Sequence, residues 1–342
     1  MMIAPFRNAA LLLTCLMSPN AGSAQSPAGA FYAGKTIEVL VGYAPGGSND
    51  LYARAVIRHL GRFIPGAPNM LARNMPGAGS KAAANHLYNV APRDGTVLAL
   101  LAATIPLEGV LGGAGVRYDP TKYNWIGRIG SSMNVTMMRS DSPVKKIEDA
   151  FGIEATLSST TAGGPIYLFP YVMNALLGTK FKIILGYNGT AQAMLAMERG
   201  ETDGHSTAVE AVKLLHPQWI SGDIKVRPIV QYGLNKHPDL PDVPLAIDFA
   251  RSADHKAILR AIMSAAEVGK SVVAGPSVPS ERVEILRAGF SSTLSDVEFR
   301  QELTSQRVGI EPMSGTDLQK YIQEIASLPP ELLAQLKTLY AE

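Results

Sequence analysis

The chain has 342 residues, 46% of them hydrophobic and 18% charged, enough apolar material for a full core and too much for a disordered or fibrous protein. Thirty-one Lys and Arg stand against 29 Asp and Glu, a net charge of +2 that offers no field for nucleic acid or anionic lipid. The single cysteine, Cys15, excludes a disulfide framework and a thiolate zinc site.

Arg7 precedes an apolar run from Ala9 to Met17, followed by the small residues Ala21, Gly22, Ser23 and Ala24. This pattern reads as an export signal over residues 1–24 that is cleaved after Ala24, and the run is too short to span a bilayer. A lipoprotein reading of Cys15 is weaker, because Leu13 and Thr14 stand where small residues are wanted. The remaining chain has the length of two domains.

From Thr36 onward short apolar runs alternate with amphipathic stretches. Ile37–Val41 reads as a strand, Leu51–Phe63 as a helix, Met70–Arg73 as a strand, the stretch after Ser80 as a helix to Val90, and Val97–Ala103 as a strand. A second block repeats the scheme: strands at Val135–Met138, Ala155–Ser158 and Lys182–Leu185, helices around Ile147–Phe151, Pro165–Leu177 and Gly189–Arg199, then a strand at Val226–Tyr232. Such alternation predicts parallel βαβ units, doubly wound, with helices on both faces of each sheet. Three prolines within residues 238–244 predict a surface loop. The C-terminal third from Ser280 reads as helical, with Ser280, Ser295 and Thr316 as N-caps.

Parallel α/β sheets bind ligands beyond the carboxyl ends of their strands, where helix N-termini offer unpaired N–H groups to anions. The strand-to-helix turns therefore hold the candidates. The first, Tyr43 to Asp50, contains Gly46, Gly47, Ser48 and Asn49 but lacks dinucleotide spacing and a Walker lysine. The second is Asn74 to Ser80, with Ala78 and Gly79. Then come Ser158 to Gly164 with four hydroxyls and two glycines, Gly186 to Thr190, and Thr202 to Thr207. Each of these turns also has a structural explanation; their common position at strand ends singles them out.

No catalytic constellation assembles. There is no Gly-x-Ser-x-Gly elbow and no His-x-x-x-His pair, and the six histidines are scattered. His59 is expected on a solvated helix face and His237 in the proline loop. His205 alone falls on a cleft-facing turn, where a ligand contact and a packed neutral imidazole are both open. Asp50 and Asp203 could form a carboxylate pair, but each of them has a capping or turn explanation.

The motifs together resemble the periplasmic solute receptors of tripartite tricarboxylate transporters, the Bug family. The likeness rests on Tyr43 to Asp50, on Asn74-Met75-Pro76-Gly77-Ala78-Gly79, on Ala91 to Thr96, on Gly200 to Asp203 and on Pro238 to Pro244. Two stretches depart from the family pattern: Thr161-Ala162-Gly163-Gly164-Pro165, and Gly186-Tyr187-Asn188-Gly189-Thr190, which lacks the usual lysine. The resemblance implies an exported two-lobed α/β protein of the type II periplasmic binding class, with lobe 1 from residues 25–130 and 261–342 and lobe 2 from 131–260. It further implies a monomer without cofactor that binds a small organic carboxylate, aliphatic or aromatic, and hands it to membrane permease subunits.

On that basis Gly46, Gly47, Ser48 and Asp50 are expected to anchor the ligand from the first lobe and Ser159, Thr161, Gly164 and Asn188 from the second. Tyr43 and Tyr187 are expected as walls, and Ala78, Gly79, Thr104, Asp203, His205 and Thr207 as further ligand-facing positions. Two other classes remain: a binding protein serving a signalling sensor, and an exported hydrolase using His205 with Ser206 or Asp50.

Overall fold

The computed structural model describes Met1, residues 31–222 and residues 225–341. The expected export signal, Met1 apart, lies outside the described residues. The chain forms two sheets with helices packed on them. Strand β1 (Thr36–Val41) leads into helix α1 (Ser48–Leu60), β2 (Asn69–Asn74) into α2 (Lys81–Asn89), and β3 (Val97–Leu100) into α3 (Ile105–Leu111), followed by β4 (Asn124–Arg128). The chain then crosses to a second sheet through β5 (Asn134–Arg139), β6 (Ala155–Ser158), α4 (Pro165–Val172), β7 (Phe181–Ile184), α5 (Thr190–Glu198), β8 (Gly204–Ala208), α6 (Val209–Leu215) and β9 (Val226–Tyr232). After α7 (Ala253–Met263) and α8 (Ala265–Val268) it returns as β10 (Ser271–Ala274). The helices α9 (Ser280–Ser295) and α10 (Val297–Ser305), the short β11 (Met313–Ser314), and α11 (Gly315–Ala326) and α12 (Pro330–Ala341) complete it.

The sheets have the orders β11-β4-β10-β3-β1-β2 and β7-β6-β8-β5-β9. The trios β2-β1-β3 and β7-β6-β8 are parallel, as the alternation predicts. The all-parallel expectation fails at β10 and β5, which run antiparallel to both of their neighbours. Each of these is the first strand laid down after the chain crosses from one sheet to the other. Both are strands buried on both faces along most of their length, and such a strand carries no signature of its direction. The two crossovers are stitched together, since Lys270 N donates to Gly130 O at 2.8 Å and Ile129 N to Lys270 O at 2.9 Å. Lys270 itself is fully buried, its Nζ 2.6 Å from Ser132 Oγ and 3.3 Å from Glu210 Oε2 on α6.

Other local expectations shift. Asp296 and Ser314, rather than Ser295 and Thr316, cap α10 and α11, accepting from Phe299 N and Asp317 N. Ile147–Phe151 is a 3-10 turn. The proline loop is pinned rather than loose: Leu240 and Val243 are buried, and Gln231 Nε2 donates to the carbonyls of both. His59 is 8% exposed and not solvated, because α10 covers that side of α1. Its Nε2 lies 2.8 Å from Glu302 Oε2, Arg62 reaches its Nδ1, and its ring stands edge-on to Phe299 at 5.6 Å.

Candidate functional site

The carboxyl ends of β1, β2, β6 and β7 open onto one cavity of about 370 Å³. Its wall is built from the β1–α1 turn (Gly42, Tyr43, Ala44, Gly47, Ser48, Asn49), the β2–α2 turn (Pro76, Gly77, Gly79, Ser80), the β6–α4 turn (Thr160, Thr161, Gly164, Pro165, Ile166) and the β7–α5 turn (Tyr187, Asn188, Gly189, Thr190). None of these side chains carries a formal charge at neutral pH; burial pushes the Tyr43 phenol far above its usual range, and the nearby Glu108 adds to the effect. The polar surface is thus made of peptide groups, hydroxyls and the two amides of Asn49 and Asn188.

The two ends of the cavity differ. At one end α1 and α5 start from Gly47 and Gly189 without a side-chain cap, and their first intrahelical acceptors, Gly47 O and Gly189 O, are taken by Leu51 N and Ala193 N. The N–H groups of Ser48, Asn49 and Asp50, and of Thr190, Ala191 and Gln192, therefore have no partner within their helices. These helix starts face each other closely: a Cβ on Gly47 would lie 3.8 Å from Thr190 Oγ1, and one on Gly189 3.1 Å from Ala44 Cβ. At the other end Gly79 presses on Gly163 and Gly164, and Gly79 N already donates to Thr161 Oγ1 at 3.2 Å. There α4 opens with Pro165, which has no N–H, and Ser80 Oγ accepts from Ala102 N.

Of the positions expected from the sequence, Tyr43, Gly47, Ser48, Gly79, Thr161, Gly164, Tyr187 and Asn188 meet on this wall. Gly46 and Ala78 sit in the same turns but off the wall. Asp50 braces its turn instead of facing the cavity: its carboxylate accepts from Gly46 N, Arg54 Nε and Asn74 Nδ2 at 3.1, 2.9 and 2.8 Å. Burial works to raise its pKa, but those hydrogen bonds prevail and hold the group below the usual carboxylate value. Ser159 and Thr104 are fully buried beneath the loops.

Asp203, His205 and Thr207 are not on the wall either. Asp203 accepts from Thr156 N and Oγ1 at 2.8 and 2.7 Å, tying the start of β8 to β6. His205 is 1% exposed, with Nδ1 2.8 Å from Ser158 O, and burial drives its pKa down to about 4, so the imidazole is neutral. Thr207 stands opposite Val135, which packs among Met194, Val209 and Val212. Successive strand residues face opposite sides of a sheet, so His205 and Ser206 form no nucleophile–base pair. Gly42, Ala44, Asn49, Pro76, Gly77, Ser80, Thr160, Pro165, Ile166, Gly189 and Thr190 also line the wall but were not among the expected site residues. Most of them stand in the strand-to-helix turns that the sequence singles out, and their place on the wall is set by how the turns of the two sheets meet, which local spacing does not encode.

Next to the cavity, under Gly163, Glu108 on α3 pairs with Lys81 on α2 at 3.2 Å. Glu108 is 3% exposed, its Oε1 has no hydrogen-bond partner, and burial raises its pKa to about 7 against the pull of Lys81. A Cβ on Gly163 would lie 3.1 Å from Lys81 Nζ, so the pair is roofed by the second sheet's loop. Among the described residues one trio could approach a metal, His59, Asp296 and Glu298, and Arg62 already bridges both of its carboxylates.

Two sheets of the same strand pattern, linked by paired crossovers and enclosing a cavity at their strand ends, make this a two-lobed α/β protein of the periplasmic binding type. The chain belongs to the tripartite tricarboxylate transporter family receptors (TctC), whose profile matches residues 64–335. Solved structures agree on the fold. The periplasmic binding protein BugD superposes with a TM-score of 0.70 at 18% identity, covering 91% of this chain and 99% of its own. MatC from Rhodopseudomonas palustris with bound malate gives 0.67 at 19% identity, covering 90% and 99%. A second R. palustris protein, with adipate, gives 0.66 at 19%, covering 89% and 97%. No curated protein sequence matches significantly.

Proposed function

We propose that the protein is a periplasmic solute receptor that captures a small organic carboxylate between its lobes and delivers it to the permease of a tripartite tricarboxylate transporter. The observation that carries this reading is the pair of uncapped helix starts, α1 and α5, facing one another across a cavity without cations. Unpartnered N–H groups and the helix dipoles favour an anion there, and charge-assisted hydrogen bonds are stronger than neutral ones. Hydroxyls of Ser48 and Thr190 and the Asn188 amide add donors, and water bridges what the ligand does not reach. Tyr43 and Tyr187 flank its body. The malate and adipate of the two R. palustris neighbours are consistent with this chemistry.

In this reading residues 1–24 direct export, residues 25–130 and 261–342 form one lobe and 131–260 the other, and the mature protein acts as a monomer. Ligand held by both lobes favours their approach only by its greater affinity for the closed arrangement.

A thermal-shift panel of small carboxylates, each beside its primary amide, tests the proposal. A ligand at a hundred times its dissociation constant stabilises by about 2.7 kcal/mol, several degrees for a protein of this size. Acids are expected to raise the melting temperature and their amides to leave it unchanged. Equal shifts for acid and amide would remove the anion reading.

A further inference from the structure

Glu108 sits where a loop of one sheet closes over a helix of the other. With Lys81 it borders a cavity of about 260 Å³ whose opposite side is Gly163, Tyr167, Leu168 and Tyr171, and which shares no lining residue with the ligand cavity. A Cβ on Gly163 would stand 3.1 Å from Lys81 Nζ and 3.6 Å from Glu108 Oε2, so the backbone there roofs the pair, and Glu108 is left 3% exposed. Lys81 pairs with Oε2; Oε1 is buried with no hydrogen-bond partner. A carboxylate oxygen buried without a donor is costly, and a proton on the group removes its charge.

Among the described residues Lys81 is the one charged group that acts on this carboxyl. Tyr43 of the β1–α1 turn, Tyr118 before β4, and Tyr167 and Tyr171 on α4 bring phenols and no charge. Elsewhere on α2, His86 is turned to Arg73 and Tyr88 to Tyr123. On the elements packed against the rest of α3, Lys122, Asp317, Lys320, Glu324, Glu331 and Lys337 are exposed, and Tyr321 donates its hydroxyl to Ser264 O. The pair and its roof come from different lobes. Glu108 and Lys81 belong to the first sheet's helices, Gly163 and α4 to the second's, so opening the cleft lifts the roof and returns the carboxyl to water.

We infer that closing the lobes over a solute takes up a proton at Glu108, so that the receptor captures the solute and a proton together, at separate sites. The inference rests on the receptor reading above, with its approach of the lobes, and adds a second bound species to it. With the loops in contact, burial raises the Glu108 pKa to about 7, whereas a solvated glutamate titrates near 4.3. Between those values the closed arrangement holds a proton that the open one has released. Closure therefore takes protons up, and by linkage the affinity for solute falls as pH rises through 7. Acidification of the medium tightens capture without altering the ligand cavity.

Benzoate, malate and adipate serve as probes. Each is added to the protein in unbuffered potassium chloride at pH 6.5 while a pH electrode reads the protons exchanged, and calorimetry at pH 6 and pH 8 gives the affinity. An acid that binds the parent is expected to bring proton uptake with it and to bind about tenfold more weakly at pH 8 than at pH 6. Glu108→Gln, neutral at every pH, should bind without that uptake and with nearly equal affinity at the two values. Lys81→Gln removes the ammonium that favours the carboxylate and should take up more protons at pH 8 than the parent does. A Glu108 that served packing alone would move the melting temperature and not the proton count. Binding by the parent without proton uptake, or uptake undiminished in Glu108→Gln, would overturn the inference and leave the receptor reading standing. Failure of all three acids to bind would overturn both.

Discussion

Gly79 and Gly164 touch across the cleft with almost no room between their backbones: a Cβ on Gly79 would lie 2.6 Å from Gly164 N and 2.7 Å from Gly163 C. The contact is not symmetric, because a Cβ on Gly164 would meet only Gly79 Cα, at an ordinary 3.5 Å. Backbone atoms cannot rotate aside, so an alanine at 79 must hold the two loops apart. It also occupies φ +64°, which costs a non-glycine residue about 1 kcal/mol. Gly79→Ala is expected to weaken ligand binding at least tenfold, while Gly164→Ala stays within about twofold of the parent. Calorimetry on both variants, beside solution scattering with and without ligand, decides. Parent-like affinity in Gly79→Ala would show that this contact does not accompany binding.

His205 bears on stability and not on recognition. Its imidazole is neutral in the fold, with a pKa of about 4, and titrates near 6.5 when the chain unfolds. The unfolded state therefore binds the extra proton between those values, and stability is full above pH 6.5 and declines as pH falls towards 4. His205→Gln should lower the chemical midpoint at neutral pH, flatten that decline and leave affinity unchanged. Denaturant titrations at pH 7 and pH 5, with calorimetry at pH 7, check all three; a loss of affinity without loss of stability would place His205 in the site.

Glu108 has the opposite sign. Burial lifts its pKa to about 7, whereas an unfolded glutamate titrates near 4.3. The folded state thus holds a proton that the unfolded state has released, so the contribution is full below about pH 4.3 and is lost as pH rises through 7. Glu108→Gln keeps the neutral form at every pH and is expected to be more stable than the parent at pH 8 and nearly equal to it at pH 5. Thermal melts at the two values test this. A variant less stable at pH 8 would mean that the ion pair with Lys81 outweighs the cost of burying the carboxylate.

The glycine-rich turns were readable in the sequence because two glycines, a hydroxyl and a helix start in eight residues leave few alternatives to a strand-to-helix turn. The same reasoning placed Asp203 and His205 at the wrong depth. Asp203 precedes β8 and His205 is its second residue, while the cavity opens beyond the end of β6, and β8 runs parallel to β6 with His205 beside Ser158. Register between strands is a long-range property that no local spacing encodes. Strand direction at β5 and β10, and the cover that α10 lays over His59, were hidden for the same reason. Asp50 was located correctly in its turn, but its partners Arg54 and Asn74, one of them 24 residues away, give the carboxylate its role as a brace.

The starts of α1 and α5 leave peptide N–H groups without partners in their helices, and no side-chain replacement short of proline deletes one. The wall residues Tyr43, Ile166 and Tyr187, by contrast, can each be changed by substitution. In the proposed reading anchor and selectivity are therefore separately adjustable: substitutions can reshape the space around the ligand's body while the peptide donors at the helix starts stay in place. Screening libraries at wall positions should yield receptors for new acids more readily than receptors for uncharged molecules.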